Sequence, residues 1–242
     1  MNELWESIRE NVTFLLIFLL LIVAVVLVAY LFEKHMRRKN GATGRILTTW
    51  KIAMIGVFSA IATILHFFEI PVPFAPSFYE LDFSELPVLI GAFAFGPVAG
   101  VLMEFCKILL KIVFMGTTTA FVGDLANFVI GCSLILPASM IYQIKKTKKG
   151  AMIGLVTGSL CMIIFATIFN AVYLLPTFSK LFGIPLDSLI AMGTKINPAI
   201  TNVTTFACFA VAPFNLLKSG LLSIITLVIY KPLHPILKYN EK

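Results

Sequence analysis

Long uncharged runs alternate with short charged blocks along this chain, and most of the runs have membrane-spanning length. The first, Val12 to Phe32, holds 21 residues without a charge, about 31 Å of helix at 1.5 Å per residue. A second covers Ile52 to Phe68. Leu86 to Phe95 is too short to span unaided and ends at Gly96-Pro97, after which Val98 to Met115 follows. Further helices are predicted from Leu125 to Ile144, from Ala151 to about Leu175, and from Phe214 to Tyr230, with Pro213 as a helix start or a kink. Seven crossings result, counting the abbreviated one. Barrel strands would alternate apolar and polar residues, and these runs do not, so the predicted fold is an all-α integral membrane bundle.

Two connections break the pattern. In Glu69 to Pro87, four prolines exclude a continuous helix, while Phe74, Phe78, Tyr79 and Phe83 are too apolar for a simple solvated loop. The segment is expected to fold back over the bundle as a lid, with its acidic residues on a solvated outer face. Pro176 to Thr205, with Gly183, Pro185, Gly193 and Pro198, reads as an irregular outer loop.

Polar residues inside apolar runs are the candidates for chemistry. Glu104, Lys107 and Lys111 recur at i, i+3 and i+7, so they share a stripe that must face protein or water; Glu104 with Lys107 reads as a structural pair. Asn215 and Lys218 lie three apart on one helical face and can present amide and ammonium donors to one ligand. Asn170 and Tyr173 repeat that spacing, bridging helices or touching a ligand. Asp124 suits a helix start as a capping carboxylate, whereas the threonines from Thr117 to Thr119 can hold polar ligand groups, as can Asn127 one turn on. Ala53, Gly56 and Ala60 form a small-residue stripe that packs within the chain or docks a partner. Gly154 and Gly158 form another, and His66 reads as a core or interfacial histidine.

Composition settles the class: 59% of the 242 residues are hydrophobic and 13% charged, with a mean hydropathy of +0.97, too apolar for a soluble domain. The net charge of +7 does not point to nucleic acid, because 13 of the 19 basic residues fall in residues 33–51, the 145–149 turn and the C-terminal tail. Positive-inside logic puts those segments in the cytoplasm, the N-terminus outside, and the chain in a cell membrane as a multi-pass protein. Glu3, Glu6 and Glu10 are wrong for a signal peptide, so residues 1–40 read as a retained anchor with a basic linker. Nothing suggests catalysis: the histidines at 35, 66 and 234 are poorly placed and no phosphate-binding Gly-rich motif occurs. Cys106, Cys132, Cys161 and Cys208 lack metal spacing, so no metal site is expected.

From about Lys51 to Lys238 the chain resembles the riboflavin-specific S components of bacterial energy-coupling-factor (ECF) transporters, the RibU family. The resemblance lies in Leu81-Asp82-Phe83-Ser84-Glu85-Leu86-Pro87, Gly96-Pro97-Val98-Ala99-Gly100, Gly116-Thr117-Thr118-Thr119, Asp124-Leu125-Ala126-Asn127-Phe128, Leu134-Ile135-Leu136-Pro137-Ala138-Ser139 and Ala212-Pro213-Phe214-Asn215-Leu216-Leu217-Lys218. It implies a six-helix substrate-binding domain over 41–242, here with an extra N-terminal transmembrane helix, that captures riboflavin as a transported ligand, with no bound cofactor and with FMN as a further possible ligand. It implies delivery through an EcfT-type transmembrane coupling subunit and two ATPase subunits. Asn170, Asn215 and Lys218 are then flavin contacts, the loop around Leu81 closes over them, and Thr117, Asp124, Asn127 and Tyr173 belong to the same pocket. Ala53-x-x-x-Val57 and Gly56-x-x-x-Ala60 approximate the family's docking motif. An S component for another vitamin, or an intramembrane enzyme, is the alternative.

Overall fold

Each long helix begins or ends where the sequence breaks its apolar pattern. The structure, a computed structural model, describes residues 2–41, 44–76, 78–117, 119 and 121–238, with side chains unassigned at 2–15, 17, 231 and 233–238. Ala42 and Thr43 of the expected linker and Thr118 of the threonine run lie outside the described residues.

Helix α1 (Asn2–Lys39) ends in the basic turn Arg37-Arg38-Lys39, where cations suit the terminal carbonyls. Helix α2 (Thr49–His66) starts at Thr48, whose Oγ1 accepts the Lys51 N–H at 3.3 Å. The proline-rich segment folds into a minimal antiparallel hairpin, β1 (Ile70–Pro71) with β2 (Glu80–Leu81), in register Ile70 to Leu81 and Pro71 to Glu80. Then come α3 (Glu85–Phe95), α4 (Pro97–Met115), α5 (Val122–Ile144) and α6 (Lys148–Phe169). A wide π-helical turn, Asn170–Leu174, continues α6 into α7 (Leu175–Phe182). Helix α8 (Leu186–Ile196) and α9 (Val203–Phe206) lead through a second wide turn, Ala207–Val211, into α10 (Ala212–Lys238).

Two expectations change here. Residues 176–205 are not an irregular loop: α7 and α8 are short amphipathic helices, separated by Gly183 in the left-handed region (φ +63°), and α8 sets Gly193 against the ring of Phe206. Pro213 does stand at a helix start, as the second residue of α10, but α10 does not begin afresh there: it continues through a wide turn a helical path that begins at Val203.

Among the described residues, five helical stretches are long and apolar enough to cross a membrane: Phe18–Lys39, Thr49–His66, Val122–Ile144, Lys148–Phe182 and Val203–Tyr230. Helix α4 has 19 residues but carries three charges, and α3 has only 11. Helix α3 and the first half of α4 lie inside the bundle, with Leu89, Val101 and Met103 buried. The opposite surfaces are apolar and exposed, as at Leu20, Val113 and Val172, which suits lipid and not water.

Packing follows the small residues. A Cβ on Gly154 would lie 2.5 Å from the Ala138 carbonyl oxygen, and one on Gly158 would lie 2.5 Å from that of Leu134, so α6 rests directly on the α5 backbone. Deeper in, Phe93 stacks on Tyr142 with ring centres 4.6 Å apart, and Tyr142 and Tyr230 share a 2.9 Å hydroxyl hydrogen bond. At the α3–α4 corner, Gly96 (φ +106°) leaves room for Glu33. The Glu33 carboxylate accepts the Val98 N–H at 3.2 Å, while Lys51 Nζ donates to the Phe95 carbonyl at 3.0 Å. One acid and one base thus complete the N-terminus of α4 and the C-terminus of α3.

Gly158→Ala is expected to lower unfolding free energy by about 1–3 kcal/mol through overpacking. Gly56→Ala, where nothing lies within 4 Å of the added carbon, should be neutral or stabilising by up to about 1 kcal/mol. Unfolding measurements in detergent compare the two, and equal effects would contradict the α5–α6 contact.

Candidate ligand-binding site

Lys107 and Lys218 are buried on apolar helices, and the hairpin segment supplies most of their counter-charge. Lys218 Nζ lies 2.8 Å from Asp82 Oδ2 and 3.1 Å from Glu85 Oε2. Lys107 Nζ lies 2.6 Å from Glu104 Oε1 and 3.3 Å from Glu85 Oε1, so Glu85 bridges the two lysines. Lys107 also donates to Ser84 Oγ at 3.0 Å, which His66 Nδ1 approaches at 3.2 Å, and the Ser84 N–H donates to Asp82 Oδ1 at 2.8 Å. Burial alone would raise the Asp82 carboxyl, but the Lys218 ammonium, with His66 and Lys107 beyond it, holds it well below the usual carboxylate range.

This corrects the expectation that the acids of the segment face solvent. Glu69 and Glu80 are exposed, but Asp82 and Glu85 are buried. The signal was present in the lysines: an ammonium inside an apolar bundle needs a carboxylate, and Glu104 alone cannot serve two. Glu104 with Lys107 is the structural pair that the spacing predicts.

Beside this network, Tyr79 drops from the hairpin into an aromatic nest. Its ring centre lies 4.8 Å from Phe78, 5.6 Å from Phe214 and 6.2 Å from Phe206, and its hydroxyl donates to Asn170 Oδ1 at 2.7 Å. Burial pushes the phenol well above its usual value, keeping it a neutral donor. Leu81 is buried in the same apolar cluster as Tyr79, Phe206 and Phe214. Asn170 and Asn215 are alike: each is buried and turns Nδ2 back to the carbonyl four residues earlier, Ala166 at 2.8 Å and Val211 at 2.9 Å. Sequence reasoning kept Tyr79 only as a lid aromatic; its hydroxyl contact to Asn170 spans 91 positions and has no local signature.

The structure therefore brings Leu81, Asn170, Asn215 and Lys218 to the hairpin end of the bundle. It gives Asn215 and Lys218 different partners, Val211 and the Asp82–Glu85 pair. A second group lies around the start of α5. Thr117 Oγ1 accepts the Phe121 N–H at 2.9 Å, and Tyr173 packs on Phe169 at 5.2 Å within a small cluster with Val122, Ala126 and Leu174. Asp124 does not cap α5: its Oδ1 pairs with Lys111 Nζ at 2.8 Å, and the helix start falls to Phe121, held at φ +68° without a side-chain cap. Asn127 is half-buried on the next turn. On α2, Ala53, Gly56, Val57 and Ala60 are all exposed.

Similarity to known proteins decides the family. A model described as the ECF transporter substrate-specific component matches residues 50–230. The chain belongs to that family. It is 34% identical over 189 residues to the riboflavin transporter RibU of Staphylococcus aureus, covering 78% of this chain and 92% of that protein. It is 28% identical over 186 residues to the riboflavin transporter FmnP of Bacillus subtilis, covering 76% and 92%. A solved S component of a bacterial ECF transporter superposes with a TM-score of 0.61 at 33% identity, covering 78% of this chain and 97% of that one. As a member of this family the protein is a multi-pass membrane transport component and not an enzyme. Helix α1 precedes the matched residues.

Lys218→Met should cost about 3–5 kcal/mol, because it strands the buried Asp82 carboxylate and leaves Glu85 with Lys107 alone. Adding Asp82→Asn and Glu85→Gln should recover most of that loss in detergent unfolding; no recovery would mean that the lysine acts outside this network.

The hairpin should also respond to pH. Although Glu69 is exposed, partial burial of its carboxyl, reinforced by the hydrogen bond and charge of neighbouring Glu80 and by Asp82 and only partly opposed by Lys111, pushes it up to about 7 from an ordinary 4.5. The closed hairpin keeps its proton where an open one loses it, so closure weakens as pH rises from about 4.5 through about 7 and then levels off. Hydrogen exchange at the Leu81 amide should accelerate over that window beyond the intrinsic pH effect, and Glu69→Gln should abolish the excess.

Proposed function

We propose that this protein captures riboflavin at the outer membrane face and hands it to the energising module of an ECF transporter. The observation that carries the reading is the paired geometry of Asn170 and Asn215 beneath the aromatic hairpin. An isoalloxazine ring offers carbonyl and ring-nitrogen acceptors to amides and an ammonium, and broad faces to Phe and Tyr. The names of the relatives support the same ligand. Asn170, Asn215 and Lys218 contact the flavin, Leu81 closes over it, and Thr117, Asp124, Asn127 and Tyr173 line the far side. Lys218 has three donor hydrogens, so it can keep both carboxylates and still offer one to a ring carbonyl. Entry of the ligand exchanges the Tyr79–Asn170 bond for a flavin–Asn170 bond. FMN is a second candidate ligand, and no resident cofactor is needed.

Orientation rests on charge: the ends that carry Arg37 to Lys39 and Lys145 to Lys149 are cytoplasmic, as is the C-terminus, and the N-terminus and hairpin lie outside. Residues 1–40 form an anchor with its basic linker, and residues 41–242 the six-helix binding domain. The exposed stripe Ala53, Gly56, Val57 and Ala60 docks an EcfT-type coupling subunit that works with two ATPase subunits.

Titration of the purified protein with riboflavin should quench flavin fluorescence at one ligand per chain. Asn170→Ala and Asn215→Ala should each weaken binding by roughly tenfold. Absence of quenching in the unmodified protein would overturn the ligand, while unchanged affinity in both variants would overturn the contacts alone. Parallel titration with FMN reads the second ligand.

A further inference from the structure

The buried network that anchors the hairpin does not balance in charge. Among the described residues it holds three carboxylates, Asp82, Glu85 and Glu104, against two ammonium groups, Lys107 and Lys218, with the buried imidazole of His66 beside them. One negative charge is in excess when the imidazole is neutral. An unmatched charge inside an apolar bundle is removed most cheaply by taking up a proton.

Hydrogen bonding shows which group takes it. Asp82 is fully engaged, since Oδ1 accepts the Ser84 N–H at 2.8 Å and Oδ2 accepts from Lys218 at 2.8 Å. Glu85 lies against both lysines, with Oε1 3.3 Å from Lys107 and Oε2 3.1 Å from Lys218. The surroundings of His66 suit its neutral form. Ser84 Oγ accepts a Lys107 hydrogen at 3.0 Å, leaving its own hydrogen to donate to Nδ1 at 3.2 Å, while Nε2 stands 3.6 Å from Glu69, beyond hydrogen-bond reach.

Glu104 differs from the other two acids. It is fully buried, its one ion pair among the described residues is with Lys107 at 2.6 Å, and Oε2 has no hydrogen-bond partner. Glu85 from α3, Lys218 from α10 and the Cys132 thiol from α5 are the other titratable groups that face it. As a carboxylate it would add an unmet charge beside a second acid. As a neutral acid it keeps an oxygen for the Lys107 ammonium and leaves a single hydroxyl unpaired, a smaller penalty. We infer that Glu104 is a proton-binding site, with a hydrogen on Oε2 in the resting protein, so that the two lysines balance Asp82 and Glu85 alone. The proton comes from water and no other bond changes. Its loss would give Lys107 a second anion and slacken its hold on Glu85, so the tie from α3 to α4 depends on this proton. The inference is independent of the ligand that the protein captures.

The test is infrared spectroscopy of the full chain in detergent near neutral pH, reading the carbonyl stretch that protonated carboxyls give and carboxylates do not. Glu69→Gln is carried in every sample, because the Glu69 carboxyl also holds a proton in this range. Subtracting the spectrum of Glu69→Gln/Glu104→Gln from that of Glu69→Gln should leave one such band, which shifts in D2O. Glutamine imitates the neutral acid, so Glu104→Gln should keep the unfolding midpoint of its parent. Glu85→Gln removes a charge that two lysines share and should lower it. If Glu104→Gln aggregates, Glu104→Asp takes its place and should move the band without abolishing it. Absence of the band from the Glu69→Gln protein, or a band that substitution at 104 neither removes nor moves, overturns the inference. So does a midpoint that Glu104→Gln lowers as far as Glu85→Gln does.

Discussion

Two buried ammonium groups govern this architecture. Lys107 and Lys218 stand on different helices, and neither is tolerable in an apolar bundle without a carboxylate partner. Glu85 is shared between them at 3.3 and 3.1 Å, so the first residue of α3 ties α4 to α10. That tie explains how an 11-residue helix, too short to cross alone, holds its place in the bundle: its start is fixed by charge, and its end by the Lys51 bond to the Phe95 carbonyl. Glu104 completes the set, and room for it depends on α5, where a Cβ on Gly131 would collide with its carboxylate. The value of such a network lies less in net stability than in uniqueness, since each wrong helix arrangement strands a charge.

The same network controls the hairpin. Asp82 is the third residue after Tyr79, so the segment is anchored on one side by an ion pair with α10 and on the other by a phenol bonded to Asn170 at the end of α6. The two anchors differ in strength. A buried charge-assisted bond resists separation, while a neutral hydroxyl–amide bond contributes only about 1 kcal/mol net. The Tyr79 side is therefore the one that yields when a competing hydrogen-bonding ligand arrives, with Asp82 as the fixed end.

The sequence made the spans legible because their signal is local. An uncharged run of 17 to 25 residues declares itself without knowledge of its neighbours, and the Glu104–Lys107 pair could be read because i, i+3 geometry is fixed within one helix. Membership of the family was legible for a similar reason, through several short strings spread over the bundle. The burial of Asp82 and Glu85 was not, because an acid in a loop looks solvated until a lysine 133 to 136 positions away is brought against it. Asp124 was misread for a related reason: a carboxylate in the first helical turn suggests a cap, and only the fold shows Lys111 competing for it at 2.8 Å. The short helices α7 and α8 were hidden by Gly183 and Pro185, which punctuate the chain between helices as readily as within loops.

The two wide turns show how a local defect sets a distant geometry. Each ends two residues before a proline, Leu174 before Pro176 and Val211 before Pro213. A proline ring clashes with the carbonyl four residues back and offers it no N–H, and a turn closed by i to i−5 bonds shifts those carbonyls aside. The bonds from Leu175 N–H to the Asn170 carbonyl and from Ala212 N–H to that of Ala207 have that form. One extra residue per turn also advances the helix phase by about 100°. Everything downstream of Val211 is therefore rotated relative to α9, and it is this rotation that turns Asn215 inward and sends Lys218 toward Asp82. A spacing rule within α10 finds that Asn215 and Lys218 share a face, but which way the face points is decided by the bulge before it.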